Sequence, residues 1–116
     1  MLTQVPAQDD STAVRVRRLL LENLARGEPN AAATARELGL SERTLHRRLR
    51  DERTSFRKIL DTVRGELATD LLSERRIGIA EIAFVLGYSE PAAFYRSFRR
   101  WTGQTPLAFR RASRTA

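Results

Sequence analysis

Residues 79–109 read IAEIAFVLGYSEPAAFYRSFRRWTGQTPLAF, and three registers within this stretch fit one another. Ile79, Ile82, Ala83 and Leu86 recur at i, i+3, i+4 and i+7, the spacing of a helix that buries one face. Gly87 follows the last of them, where glycine lets the backbone pass through the left-handed region. Ser89 is placed to accept a backbone N–H as N-cap of the next helix. In that helix Phe94, Phe98 and Trp101 recur at i, i+4 and i+7 and are assigned to the core, while Pro91, Ala92, Tyr95, Arg96 and Arg99 fall on the opposite side. Thr105 and Pro106 then read as N-cap and first residue of a closing helix. A short apolar helix, a glycine turn and a basic-faced helix make up a helix-turn-helix; the alternative is an ordinary helical hairpin.

The same grammar occurs earlier. After Asn30, residues 31–50 read AAATARELGLSERTLHRRLR. Ala35, Leu38, Gly39, Ser41 and Glu42 match Ala83, Leu86, Gly87, Ser89 and Glu90 at an offset of 48. Beyond the turn the offset becomes 49, pairing Leu45, Arg47, Leu49 and Arg50 with Phe94, Arg96, Phe98 and Arg99, as if the second copy held one extra residue. In the first copy Leu45 and Leu49 face inward, and Arg43, His46, Arg47 and Arg50 form a basic stripe at i, i+3, i+4 and i+7.

Between the copies Phe56, Ile59, Leu60, Val63, Leu67 and Leu71 keep helical spacing, which predicts one long connecting helix. About twenty residues at 1.5 Å each span roughly 30 Å, near the roughly 34 Å between successive major-groove faces of B-DNA. Gly65 inside it costs about 1 kcal/mol relative to Ala. Upstream, Ser11 is expected to cap a first helix with an apolar stripe of Val14, Leu20, Leu21 and Leu24, ending before Gly27 and Pro29. Arg15, Arg17 and Arg18 are expected on its solvated side. The resulting layout is an irregular tail over 1–10, a first subdomain over 11–54, a linker helix over 55–76, a second subdomain over 77–112 and a basic tail over 113–116.

Composition narrows the partners. The 116 residues carry a net charge of +7 and a pI near 11.3, which favours a polyanion. Lys58 is the single lysine among 21 basic residues, a skew that reflects codon composition as readily as phosphate recognition. Position is more informative: after Glu90 no acid occurs, while Arg96, Arg99, Arg100, Arg110, Arg111 and Arg114 follow. The absence of cysteine excludes disulfides, thiol nucleophiles and Cys-bound zinc and fits a reducing cytoplasm. His46, the single histidine, has no nearby Cys or second His, so no metal and no cofactor are expected. Acids are scattered and no glycine-rich phosphate loop occurs, so the chain is not read as an enzyme. No apolar run has the length of a membrane span, and MLTQVPAQDD lacks the basic start and apolar core of a secretory signal.

Over residues 12–111, and most specifically in IAEIAFVLGYSEPAAFYRSFRRWTGQTP followed by LAFR, the chain resembles the DNA-binding domain of AraC-family bacterial transcription regulators. The resemblance implies an all-α, homeodomain-like fold of about seven helices, two helix-turn-helix subdomains joined by a long helix. It implies base contacts by Arg43, His46 and Arg47 in the first reading helix, Glu42 to Arg50, and by Pro91, Ala92, Tyr95 and Arg96 in the second, Glu90 to Arg100. Ser41, Thr44, Arg50, Ser89, Arg99, Arg100 and Arg110 are assigned to phosphate. The implied function is sequence-specific binding of double-stranded promoter or operator DNA in the cytoplasm, at the nucleoid, to regulate transcription, with RNA polymerase as a second partner. Dimerisation is expected through an N-terminal effector domain that this chain does not include, so the chain is read as a C-terminal fragment. The alternative is an adaptor that docks RNA polymerase or another regulator without reading bases.

Two departures from the family pattern stand out. Gly78 occupies a position where Ser or Thr commonly caps the helix, and Arg53 a turn position often held by Gly, where a left-handed backbone carries strain of about 1 kcal/mol or more. Pro91 and Ala92 have no side-chain hydrogen bond to offer a base edge, so the second helix is expected to read methyl groups and phosphates and to discriminate less than the first.

Overall fold

The computed structural model describes residues 11–113; the expected irregular segment 1–10 and residues 114–116 of the basic tail lie outside the described residues. Among those described there are no strands and seven α-helices: α1 Thr12–Asn23, α2 Ala31–Glu37, α3 Glu42–Asp51, α4 Phe56–Leu72, α5 Ile79–Val85, α6 Pro91–Thr102 and α7 Pro106–Ser113, with a 3-10 turn at Leu24–Arg26. The all-α class and the order of elements are those expected.

Contacts divide the chain into two compact units, the first made of residues up to Asn23 together with Pro29–Val63, the second of Leu24–Glu28 and the chain from Arg64 onward. This differs from the expected boundaries first in that Leu24–Glu28, expected in the first subdomain, groups with the second unit. Second, the linker helix, expected over 55–76, ends at Leu72, and it is shared between the units at Val63 and Arg64. Its buried residues are Phe56, Ile59, Leu60 and Val63 in the first unit, then Arg64, Ala68 and Leu72 in the second, while the expected Leu67 and Leu71 are only half-buried. The line shifts because each half of the helix answers to a different core.

In the first unit α1 begins at Ser11, whose Oγ accepts from Val14 N at 3.1 Å. The Glu52 carboxylate, 40 residues away, adds a second cap by accepting from Thr12 N at 3.0 Å and Ala13 N at 2.8 Å. A carboxylate there satisfies two orphan N–H groups and sits at the positive end of the helix dipole. The helix packs on α3 and buries Val16 and Leu20, with Leu24 buried just beyond its end; of the expected stripe Leu20 and Leu24 are thus inside, while Val14 is 37% and Leu21 46% exposed. Apolar residues lie on adjoining faces of α1, so periodicity did not choose between them; docking against α3 does.

The loop after α3 carries the anticipated strain. Arg53 has φ 65, the one positive φ outside glycine among the described residues, and its position lets Thr54 N donate to Leu49 O at 2.9 Å to close the helix end. Arg53→Gly should therefore raise stability by about 0.5–1 kcal/mol, the left-handed cost less the added freedom of the unfolded chain. A thermal melt reads this as a rise of a few degrees; an unchanged or lower midpoint would mean that the turn relaxes without strain.

The second unit is built on aromatic rings. Phe98 is fully buried, with ring centroids 5.7 Å from Phe94, 6.3 Å from Trp101 and 5.3 Å from Phe109, all edge-on. Helix α4 continues through Gly65, where an added Cβ would meet Trp101 Cε3 at an ordinary 3.8 Å. Gly78 is the N-cap of α5 and makes no side-chain cap bond. Val16 and Leu20 of α1 and Arg64 and Ala68 of α4 are buried at matching positions 48 residues apart. The internal repeat thus reaches back into the helix preceding each helix-turn-helix.

Candidate nucleic-acid interface

Each unit presents one basic helix held from behind by a glycine turn. In the first, Asn30 Oδ1 caps α2 by accepting from Ala33 N at 2.8 Å. Gly39 turns the chain at φ 74, and Leu40 N donates back to Ala35 O at 2.9 Å. Ser41 is the N-cap of α3; its Oγ accepts from Thr44 N at 3.0 Å and donates to Thr44 Oγ1 at 3.0 Å. Both hydroxyls assigned to phosphate are therefore already engaged with each other in the cap.

Leu45 and Leu49 anchor α3 with no exposed surface. Arg43, His46, Arg47 and Arg50 are all exposed opposite them, the stripe the spacing predicts. His46 Nε2 lies 3.4 Å from Glu42 Oε2, one turn earlier. No carboxylate among the described residues pairs with Arg43, Arg47 or Arg50. Arg47 thus keeps its planar donor fork available for an acceptor pair.

In the second unit Gly87 turns at φ 91 and Tyr88 N donates to Ala83 O at 3.1 Å, repeating the bond from Leu40 to Ala35 at an offset of 48. The N-cap of α6 is Glu90, followed by Pro91 at the first helical position, and no side chain closes a cap bond. Ser89, expected as the cap, sits one residue too early because the extra residue of the second copy falls between turn and helix. It remains exposed beside the helix start. Phe94 and Phe98 are buried, while Ala92, Tyr95, Arg96, Arg99 and Arg100 are exposed and Pro91 is half-buried. The helix ends at Gly103, φ 79.

One residue assigned to phosphate is engaged within the protein. Arg110 is half-buried; its Nε donates to Leu72 O at 2.8 Å and its Nη2 to Glu74 O at 3.1 Å and Leu71 O at 3.4 Å. A cation on the last carbonyls of α4 sits at the negative end of the helix dipole, so in this structure Arg110 caps the end of that helix. Sequence reading also missed Arg64. It is 4% exposed, with Nε donating to Leu86 O at 2.8 Å and Nη2 to Glu28 Oε2 at 3.3 Å, and its guanidinium carbon lies 3.8 Å from the Tyr88 ring centroid. The available signal was its place at i+4 from Leu60 and i−4 from Ala68, on a line that periodicity had assigned elsewhere.

Among the described residues no group of His, Cys, Asp and Glu is placed to hold a metal ion, and no helix is long and apolar enough to cross a membrane. The interface offers guanidinium forks, a few apolar groups and two helix starts, one closed by the Ser41 side chain and one without a side-chain cap bond, a chemistry that suits base edges and phosphate.

Comparison with known proteins agrees with this geometry. The family model of the helix-turn-helix domain matches residues 34–112. The chain is 44% identical over 92 residues to the HTH-type transcriptional regulator VqsM of Pseudomonas aeruginosa, covering 79% of this chain and 28% of that protein. It is similar to the crystal structure of the transcriptional regulator CdpR from Pseudomonas aeruginosa, with TM-score 0.81 and 42% identity over 92% of this chain and 34% of that one. It is also similar to the DNA-binding domain of AdpA, a global transcriptional factor, in complex with a target DNA: TM-score 0.77, 28% identity, 91% of this chain and 96% of that one. The chain spans under a third of the length of VqsM.

Proposed function

Because the chain belongs to the AraC-type helix-turn-helix family of DNA-binding transcription regulators, we propose that α3 and α6 are its two readers, each entering a major groove of double-stranded DNA. The observation that carries this reading is the matched pair Arg47 and Arg96, at an offset of 49, both exposed on helices whose opposite faces are buried. Arg43, His46 and Arg47 read base edges from α3; Pro91, Ala92, Tyr95 and Arg96 do so from α6, mainly through apolar contact. Arg50, Arg99, Arg100 and Ser89 lie against phosphate, as do Ser41 and Thr44 at the start of α3, where the backbone N–H groups of Glu42 and Arg43 have no intrahelical acceptor. With two readers in tandem on one chain, the site has two unlike elements and is not palindromic. Within this reading RNA polymerase is a second partner, dimerisation belongs to a domain outside this chain, and the place of action is the bacterial nucleoid.

Selection from a random duplex pool at stated salt, followed by sedimentation with the selected duplex, tests the reading. A one-to-one complex on an asymmetric two-element site is expected. A strict two-to-one complex on a palindrome would overturn it, and failure to select any sequence would favour the adaptor.

Arg47→Ala should relax preference at a few adjacent base pairs in one element, costing about 1–3 kcal/mol of discrimination. An unchanged selected sequence would assign Arg47 to phosphate.

The arginines separate by a different measurement. Arg99→Gln and Arg100→Gln should each weaken binding to all duplexes alike and lower the salt slope by about 1. Arg110→Gln should leave the slope in place and cost about 1.5–3 kcal/mol of folding stability, the range for hydrogen bonds involving a charged group. A reduced slope with an unchanged melt would return Arg110 to the phosphate group.

A further inference from the structure

The two glycine turns are alike in sequence and differently built. Behind Gly39 a Cβ would meet no atom within 4 Å, whereas at Gly87 it would lie 2.6 Å from Leu24 O, 3.1 Å from Gly27 O and 3.3 Å from Arg64 Nη2. The second turn is therefore pressed against Leu24–Glu28, the segment that the contacts group with this unit although it precedes α2 in sequence. The 3-10 turn at Leu24–Arg26 packs on α5.

Arg64 stands at the centre of this packing. The matching position 48 residues earlier is Val16, fully buried, so the fold accepts an aliphatic side chain there and burial alone gives no reason for a charge. A buried ion pair is commonly no more stabilising than apolar packing of similar volume. What arginine adds is a planar fork with fixed donor directions. One donor holds Leu86 O at the end of α5 (2.8 Å), another reaches Glu28 (3.3 Å), and the plane lies over Tyr88 (3.8 Å to the centroid). Leu86, Gly87 and Tyr88 are the turn, and Glu90, two residues on, caps α6. The α6 cap has no side-chain bond of its own, unlike the Ser41 cap of α3, so the second reader depends on its turn for its direction.

We propose that Arg64 is a positioning residue for the second reading helix: it clamps the turn Leu86–Tyr88 onto Leu24–Glu28 and thereby sets how α6 presents Tyr95 and Arg96. The role rests on the two-reader function proposed above. Arg64 touches no DNA; it acts through Leu86 and Tyr88. Glu28, whose side chain is 57% exposed, is the outer half of the clamp.

The test uses the whole chain, with Arg64→Met, which keeps apolar volume at the position, Arg64→Lys, which keeps the charge without the fork, and Glu28→Gln. Each is carried through a thermal melt and selection from a random duplex pool. For folded Arg64→Met, preference in the element read by α6 should fall about tenfold, comparable to one base-reading contact, while the element read by α3 keeps its sequence. Arg64→Lys should restore part of that preference, and Glu28→Gln should show a smaller loss in the same element. A merely structural role would lower the melting point and weaken both elements alike, and that outcome overturns the proposal. So does an unchanged α6 element in a folded variant. If Arg64→Met does not fold, Arg64→Lys and Glu28→Gln decide by the same criterion. A wild-type site with only one element overturns the two-reader reading and this role with it, whereas a two-element wild-type site indifferent to Arg64 and Glu28 overturns this role alone.

Discussion

Gly87→Ala should destabilise the protein by at least about 3 kcal/mol, combining left-handed strain on a non-glycine residue with overpacking. The backbone there has φ 91, and the new methyl would stand 2.6 Å from the Leu24 carbonyl oxygen. Neither atom belongs to a flexible side chain, so relief requires moving backbone. Gly39→Ala is the internal control. It meets the same left-handed backbone, φ 74, with nothing within 4 Å, and should cost only about 1–2 kcal/mol. Urea unfolding of both variants reads the difference directly. Equal losses would mean that the second turn is not pressed against Leu24–Glu28.

Phe98→Ala should cost about 3–5 kcal/mol, the range for removing a buried phenylalanine. Phe98 has no exposed surface and joins three other rings, from Phe94 and Trp101 on its own helix and from Phe109 on α7. Loss of the ring leaves a void that these rigid neighbours fill poorly. Against a total stability of order 5–15 kcal/mol for a small domain, the variant should be substantially unfolded at elevated temperature, and selection of DNA at low temperature should show the α6 element lost before the α3 element. A loss under about 1 kcal/mol in urea unfolding, well short of that range, would show that Phe109 and Trp101 close the gap.

The basic stripe Arg43, His46, Arg47 and Arg50 was legible because helical periodicity places residues by arithmetic and because Leu45 and Leu49 fix the inner face. The inner face of α6 was legible for the same reason, Phe94 and Phe98 one turn apart being buried, although Trp101, assigned to the core with them, is only half-buried. The left-handed backbone at Arg53 was expected from its turn position. Less legible were features made by residues far apart in sequence. Glu52 caps α1 across 40 residues, and Arg110 closes the end of α4 across 38. Neither bond has a local sequence signal, because each joins segments about forty residues apart.

Ser89 shows how a local signal fails by one position. Its match to Ser41 is real at an offset of 48, yet the extra residue of the second copy moves the cap to Glu90, and periodicity resolves an element better than its first residue.

The sequence by itself determined the all-helical class, the paired glycine turns and which faces of α3 and α6 are apolar and which basic, because these follow from residue type repeated at the period of one helix. Tertiary structure alone decided that α1 buries Val16 rather than Val14 and Leu21, where α4 passes from one unit to the other, and that Leu24–Glu28 belongs with the second turn. Those choices depend on contacts between segments tens of residues apart, where several pairings satisfy the same local pattern and only the packing of whole side chains, such as Arg64 between Leu86, Tyr88 and Glu28, selects one.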